Sequence, residues 1–168
     1  MNTDLDAADY RLLELLQVDA RMPIGKLAAV AGLSEPTCYR RIQRLKRSKA
    51  IEREIALVSP RVMGWPLTMI VLVTLERERT AILDQFIRKL QSVPEILETW
   101  YVTGGYDFVL RVVARDMESF EAMTRSALYA DNHVKSVKTL VAMRNVKIQG
   151  PLKAVGATRS SRRAPSRK

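Results

Sequence analysis

The sequence predicts an α+β chain in two parts, a set of short helices followed by a βαββαβ sandwich. Three observations predict it. Residues 24–47, IGKLAAVAGLSEPTCYRRIQRLKR, read as two short helices joined by a tight turn, with arginine on one face of the second. Residues 67–75, LTMIVLVTL, form an apolar run rich in β-forming residues, as a buried strand does. Between them, Ser59-Pro60 and Gly64-Trp65-Pro66 break both patterns. These breakers place a linker at residues 59–66, between a first domain at 1–58 and a second at 67–150, with a tail at 151–168.

Leu5 to Ala20 is expected to be the first helix: Asp6 is placed to cap it with Asp9 three residues on, and Leu12, Leu13 and Leu16 recur at helical spacing. In the second helix Leu27, Ala28 and Ala31 form the apolar side, and Gly32 can turn with positive φ. Small residues at Ala28, Ala29 and Gly32 allow close approach to the third helix. Ser34 stands at that helix's cap position, and Pro36 is tolerated in its first turn because the amide it lacks has no helical partner there.

At about 100° per residue, Cys38, Ile42 and Leu45 fall together on the core side of the third helix. Pro36, Arg40, Gln43 and Arg47 fall opposite, flanked by Thr37 and Arg44. Arginine and glutamine can pair with guanine and adenine edges in the major groove. Arg41, Lys46 and Lys49, towards the margins, suit phosphates. A basic face alone fits any solvated amphipathic helix; the cap, the small-residue turn and the preceding helix favour DNA. The candidate DNA-contacting set is Ser34, Pro36, Thr37, Tyr39, Arg40, Arg41, Gln43, Arg44 and Arg47. In the next stretch, IEREIALVSP, Ile51, Ile55 and Leu57 share one parity, which predicts a two-stranded wing or a short strand leading out.

In the second domain, Ile82, Leu83, Phe86, Ile87 and Leu90 mark a helix that ends before Pro94. Strands are expected at Ile96 to Val102 and Phe108 to Ala114, separated by Thr103-Gly104-Gly105-Tyr106-Asp107. A helix from Met117 to Leu128 and a strand from Val134 to Met143 complete the order βαββαβ, which closes as an antiparallel four-stranded sheet with both helices on one face. A first strand apolar at both parities implies that the other face is covered as well. A second copy of the sheet about a two-fold axis does this economically, giving a homodimer suited to palindromic DNA.

Composition excludes several classes. One cysteine cannot build a disulfide framework, nor a zinc site with a single histidine, so no cofactor or metal is expected. Cys38 and the dispersed methionines are expected to be packing, and His133 a turn residue. No apolar run spans a membrane, and the acidic start, MNTDLDAADY, matches neither a secretory nor a mitochondrial leader, so a reducing cytoplasm is expected. The net charge of +10 is uneven: residues 1–65 carry an excess of +3, residues 66–152 of +1 and residues 153–168 of +6. The tail, ending ATRSSRRAPSRK, is expected to be disordered, and either adds phosphate affinity or only solubilises.

Four segments, LDAADYRLLELLQVDAR, LAAVAGLS with RRIQRL, VTGGYDFVLRVV and TLVAMRNVK, stand in order over about residues 4–147 and resemble the leucine-responsive regulatory protein/AsnC (Lrp/AsnC) family of prokaryotic transcription regulators. The resemblance implies an N-terminal winged helix-turn-helix and a C-terminal ferredoxin-like effector-binding and dimerisation domain. It also implies double-stranded DNA and a second copy of the chain as partners, assembly up to octamers, and an amino-acid effector held between subunits. Carried over, the effector site involves Thr103, Gly104, Gly105, Tyr106 and Asp107, with Tyr101, Met117, Val141 and Ala142 at positions tied to the effector response.

Two departures from the family stand out. Lys49-Ala50-Ile51 and Arg53 occupy positions where relatives usually carry glycine after the recognition helix and in the wing, and Gly105 replaces a larger residue. Read from its own residues, the VTGGYD loop is either a carboxylate-binding concavity with Asp107 for an ammonium group, or a tight turn in which Asp107 bonds backbone. Two other functions compete with an effector-responsive regulator. The resemblance brings in sirohaem decarboxylases, which use extra histidine and arginine residues where this chain offers only His133, so no enzyme is expected. An effector-free architectural DNA-binding protein would suit the basic tail.

Overall fold

The computed structural model describes residues 5–76, 80–147 and 150–154, and divides into two compact units. The first holds three helices, α1 (Ala7–Val18), α2 (Ile24–Ala31) and α3 (Glu35–Arg47). A capping box starts α1: the Asp6 carboxylate accepts the Asp9 N–H at 2.9 Å, and the Asp9 carboxylate accepts the Asp6 N–H at 3.2 Å. Gly32 ends α2 in the left-handed conformation at φ 68°, and the Leu33 N–H returns to the Ala28 carbonyl at 2.9 Å. Leu12, Leu27, Ala28, Cys38, Ile42 and Leu45 form one buried cluster, so the face assigned to the core of α3 is the face that packs. Burial, helped by the nearby Glu35, pushes the Cys38 thiol above its ordinary value of 9.0, consistent with a packing role.

Two expectations for this unit need correction. Ser34 occupies the cap position of α3 but makes no side-chain bond to backbone; its hydroxyl donates instead to Thr37 Oγ1 at 2.9 Å. The wing is absent: among the described residues, no strand forms between α3 and residue 67, and Ile55 and Leu57 are exposed. The stretch IEREIALV contains no Gly, Asn or Pro to reverse the chain, so this segment has no second strand of its own to pair with. Lys49, in contrast, takes the positive φ of 61° that a glycine would occupy, and the Ile51 N–H bonds the Leu45 carbonyl at 3.1 Å.

The second unit spans Leu57–Val146. Its elements are β1 (Leu67–Leu75), α4 (Thr80–Gln91), β2 (Ile96–Tyr101), β3 (Phe108–Ala114), α5 (Met117–Thr124) and β4 (Val134–Val141). The strands lie in the order β2-β3-β1-β4, and every pair is antiparallel. The helix predicted through Leu128 turns π-helical at Arg125–Tyr129, and this turn still buries Ala127 and Leu128. Met69, Val71, Val73 and Leu75 alternate into the core with Phe86, Leu90, Phe108, Leu110, Val112 and Phe120. Phe86 and Phe108 meet edge to face, with ring centroids 5.2 Å apart.

The opposite parity of β1 lies on the open face. There Ile70 stands between Leu140 and Arg111, and Leu72 between Lys138 and Val109, with Trp100 beyond Val109. Arg111 pairs with Glu98 on the same face.

Lys147 and the described residues 150–154 group with the helical unit. Gln17 of α1 clasps Leu152 in both directions: its amide donates to the Leu152 carbonyl at 3.1 Å and its oxygen accepts the Leu152 N–H at 2.7 Å. Of the predicted tail, residues 151–154 are thus described and Leu152 is held; residues 155–168 lie outside the described residues.

Candidate nucleic-acid interface and ligand cavity

Helix α3 sorts its polar side chains into two groups. Arg40, Gln43 and Arg47 have no hydrogen bond or ion pair among the described residues, and Arg40 and Arg47 are exposed. Ser34, Pro36 and Tyr39 are exposed beside them, and Thr37 is half-buried. This surface offers guanidinium and carboxamide groups free to make paired hydrogen bonds to base edges.

Arg41 and Arg44 are engaged elsewhere. Arg41 donates to Asp6 at 2.6 Å and to Asp9 at 2.9 Å, while Arg44 donates to the other oxygen of Asp9. Asp9 is wholly buried, so these guanidiniums neutralise a carboxylate that water cannot reach. Lys46 pairs with Glu54 at 3.0 Å. Asp9 was legible in the sequence only as a capping residue, because its arginine partners lie 32 and 35 positions away.

In the sheet unit, a cavity of about 420 Å³ is lined by Tyr101, Val102, Thr103, Gly104 and Asp107. Gly104 has φ 134°, a conformation that side-chain-bearing residues rarely adopt. The Asp107 carboxylate accepts the Leu75 N–H at 2.6 Å, the Asp107 N–H donates to Val73 at 2.9 Å, and its carbonyl accepts the Val102 N–H at 2.8 Å. Asp107 is therefore a backbone-bonding turn residue, and one carboxylate oxygen is committed to β1. Being half-buried beside the cavity, it keeps acceptor capacity for a cation.

The remaining effector candidates separate. Gly105 and Tyr106 belong to the loop without lining the cavity. Val141 pairs with Met69, and the Ala142 N–H bonds the Thr68 carbonyl, at the start of β1. Met117 opens α5 three residues after Ala114, which pairs with Leu67 at that same end. The loop sits at the Val73–Leu75 end, about 14 Å along the strand from Met69. One chain does not gather all nine residues into one site. A smaller cavity of about 200 Å³, lined by Trp65, Glu95, Val113, Arg115, Phe120 and Met123 among others, also lies in this unit.

Among the described residues no group of three or more His, Cys, Asp or Glu could hold a metal ion, and no helix is long and apolar enough to cross a membrane.

A helix-turn-helix with an open basic face, joined in one chain to a βαββαβ unit with a cavity at its hairpin, defines a two-domain DNA-binding regulator. The comparisons with known proteins give the family. Residues 5–46 match the AsnC-type helix-turn-helix domain, and residues 68–152 match the Lrp/AsnC ligand binding domain. An HTH-type transcriptional regulator of Sinorhizobium fredii is 43% identical over 144 residues, covering 86% of this chain and 85% of its own. The leucine-responsive regulatory protein of Rhizobium meliloti is 33% identical over 147 residues, covering 88% and 94%. The crystal structure of an AsnC family transcriptional regulator from Agrobacterium tumefaciens superposes with a TM-score of 0.81 at 28% identity, covering 88% of this chain and 96% of that one. The chain belongs to the Lrp/AsnC family of transcriptional regulators.

Proposed function

We propose that the chain is a sequence-specific regulator that reads DNA through α3 and whose assembly or DNA affinity responds to an α-amino acid. The observation that carries the DNA contact is the unpartnered set Arg40, Gln43 and Arg47 on the open face of a helix whose other face is buried. Arg40 and Gln43 are assigned to base edges, and Ser34, Pro36, Thr37, Tyr39 and Arg47 to the surrounding surface. Arg41 and Arg44, given to DNA on sequence grounds, are reassigned to holding Asp9.

Ligand response is supported by the match to a ligand-binding domain and by the cavity at Tyr101–Asp107. Glycine amides of the loop would meet a carboxylate, and the free acceptor capacity of Asp107 an ammonium group. The separation of Met117, Val141 and Ala142 from this loop favours a site completed by a second copy of the chain. Ile70, Leu72, Val109, Trp100 and Leu140 supply an apolar face for that copy. The relatives are transcriptional regulators by name, in keeping with a protein that is not an enzyme. A cytoplasmic place fits DNA as the partner.

Isothermal titration against the common amino acids, with sizing of the full chain with and without the ligand that binds, tests this reading. Heat from at least one amino acid and a size of at least a dimer are expected. No heat from any of them would leave the effector-free architectural function, and a monodisperse monomer would refute the covered sheet.

A further inference from the structure

We propose that Asp9 is a specificity-determining positioning residue, which withholds Arg41 and Arg44 of α3 from DNA phosphates so that the free side chains of the helix do the reading. The proposal rests on α3 being the DNA-contacting helix. Cations on this helix meet two fates. Arg41, Arg44 and Lys46 are held by carboxylates of the same chain, whereas Arg40 and Arg47 have no partner among the described residues.

The geometry around Asp9 is what makes this an assignment. Its side chain has no exposure, and its oxygens accept from Arg41, Arg44 and the Asp6 backbone. A buried carboxylate stripped of these partners would be strongly disfavoured, so the guanidiniums are bound firmly rather than resting on a surface. Arg44 is nevertheless 47% exposed, within reach of an approaching polyanion if it were released. Arginines that meet phosphates add affinity for every sequence alike and lower the ratio of specific to non-specific binding. Sequestering two of them on α1 lowers the sequence-independent term. It also fixes the rotation of α3 about its axis, and with it the direction of Arg40 and Gln43.

The test uses the full chain, a duplex selected by the wild-type protein from a random-sequence pool, and a random duplex of equal length. Affinity for each is measured from low to moderate salt. Asp9→Asn keeps the side-chain shape but removes the charge that holds Arg44, while Arg41 keeps its bond to Asp6. It should raise affinity for the random duplex several-fold, steepen the slope of log K against log salt by about one, and narrow the preference for the selected duplex. Loss of affinity for both duplexes at unchanged slope would mark Asp9 as merely structural and overturn the proposal.

A second pair of variants keeps the question open to refutation if Asp9→Asn does not fold. Arg40→Gln should flatten the slope or relax selection, whereas Arg44→Gln, which removes no phosphate contact, should leave the slope as in the wild type. A slope flatter than the wild type's by about one in Arg44→Gln overturns the role of Asp9 alone. No effect from Arg40→Gln removes α3 from the DNA, and the proposal falls with that placement.

Discussion

The carboxylate of Asp107 accepts the backbone N–H of Leu75 at 2.6 Å, so the β2–β3 hairpin is tied through a side chain to the end of β1. This bond makes Asp107 both a brace and a wall of the cavity, and two substitutions separate the roles. Asp107→Ala should cost about 1–3 kcal/mol of stability and abolish any ligand response. Asp107→Asn keeps an oxygen that can accept the Leu75 N–H, so stability should stay within about 1 kcal/mol of wild type while an ammonium group loses its charge partner. Urea denaturation and titration with amino acids read the two effects. Wild-type heats from Asp107→Asn would show that the carboxylate's charge is not used.

The two loop glycines should differ. Gly104 has φ 134°, whereas Gly105 lies outside the left-handed region, and a Cβ at either position would meet open space. Gly104→Ala is expected to destabilise the unit by about 1–3 kcal/mol through backbone strain alone. Gly105→Ala should be nearly neutral by melting temperature. Equal shifts from both would contradict the backbone assignment.

At the start of α1, the Asp9 N–H and then the Arg41 guanidinium hold the Asp6 carboxyl below its ordinary value of 3.8. A carboxyl whose value is depressed on folding stabilises the fold above the ordinary value and loses that contribution as pH falls through the depressed one. Acid should therefore weaken the helical unit below about pH 4, modestly, since Asp6 is half-exposed. Arg41→Gln should move the Asp6 titration, followed by carboxyl NMR, back towards 3.8. An unmoved titration would exclude the ion pair in solution.

Gln17 should slow exchange at a backbone amide far from it in sequence. Its oxygen accepts the Leu152 N–H at 2.7 Å, so that amide should be protected in the wild type and exchange faster in Gln17→Ala. Hydrogen exchange by mass spectrometry over residues 147–154 measures this. Identical rates in the two proteins would mean that Leu152 is not held to α1.

Most of the fold was legible because it is written in local periodicity. The strip of Cys38, Ile42 and Leu45, the strand Leu67–Leu75 and the turn at Gly32 all depend on near neighbours in the chain. Helix and strand patterns report such relationships directly. The same logic misled at the wing, where Ile55 and Leu57 share a strand's parity but have no partner strand to complete a ladder.

Tertiary structure alone decided which arginines are free. On a helical wheel Arg44 flanks the DNA face, and nothing near it in sequence says that a buried carboxylate 35 residues earlier will claim it. It also decided that Asp107 bonds Leu75, 32 positions away, and that Met117 and Val141 lie at the far end of the sheet from the loop. The sequence by itself determined the two domains, their helices and strands and the core faces, since these follow from residue spacing. The fate of each charged side chain was set by which distant partner the packed chain brought within hydrogen-bond reach, because a buried charge is stable only when paired.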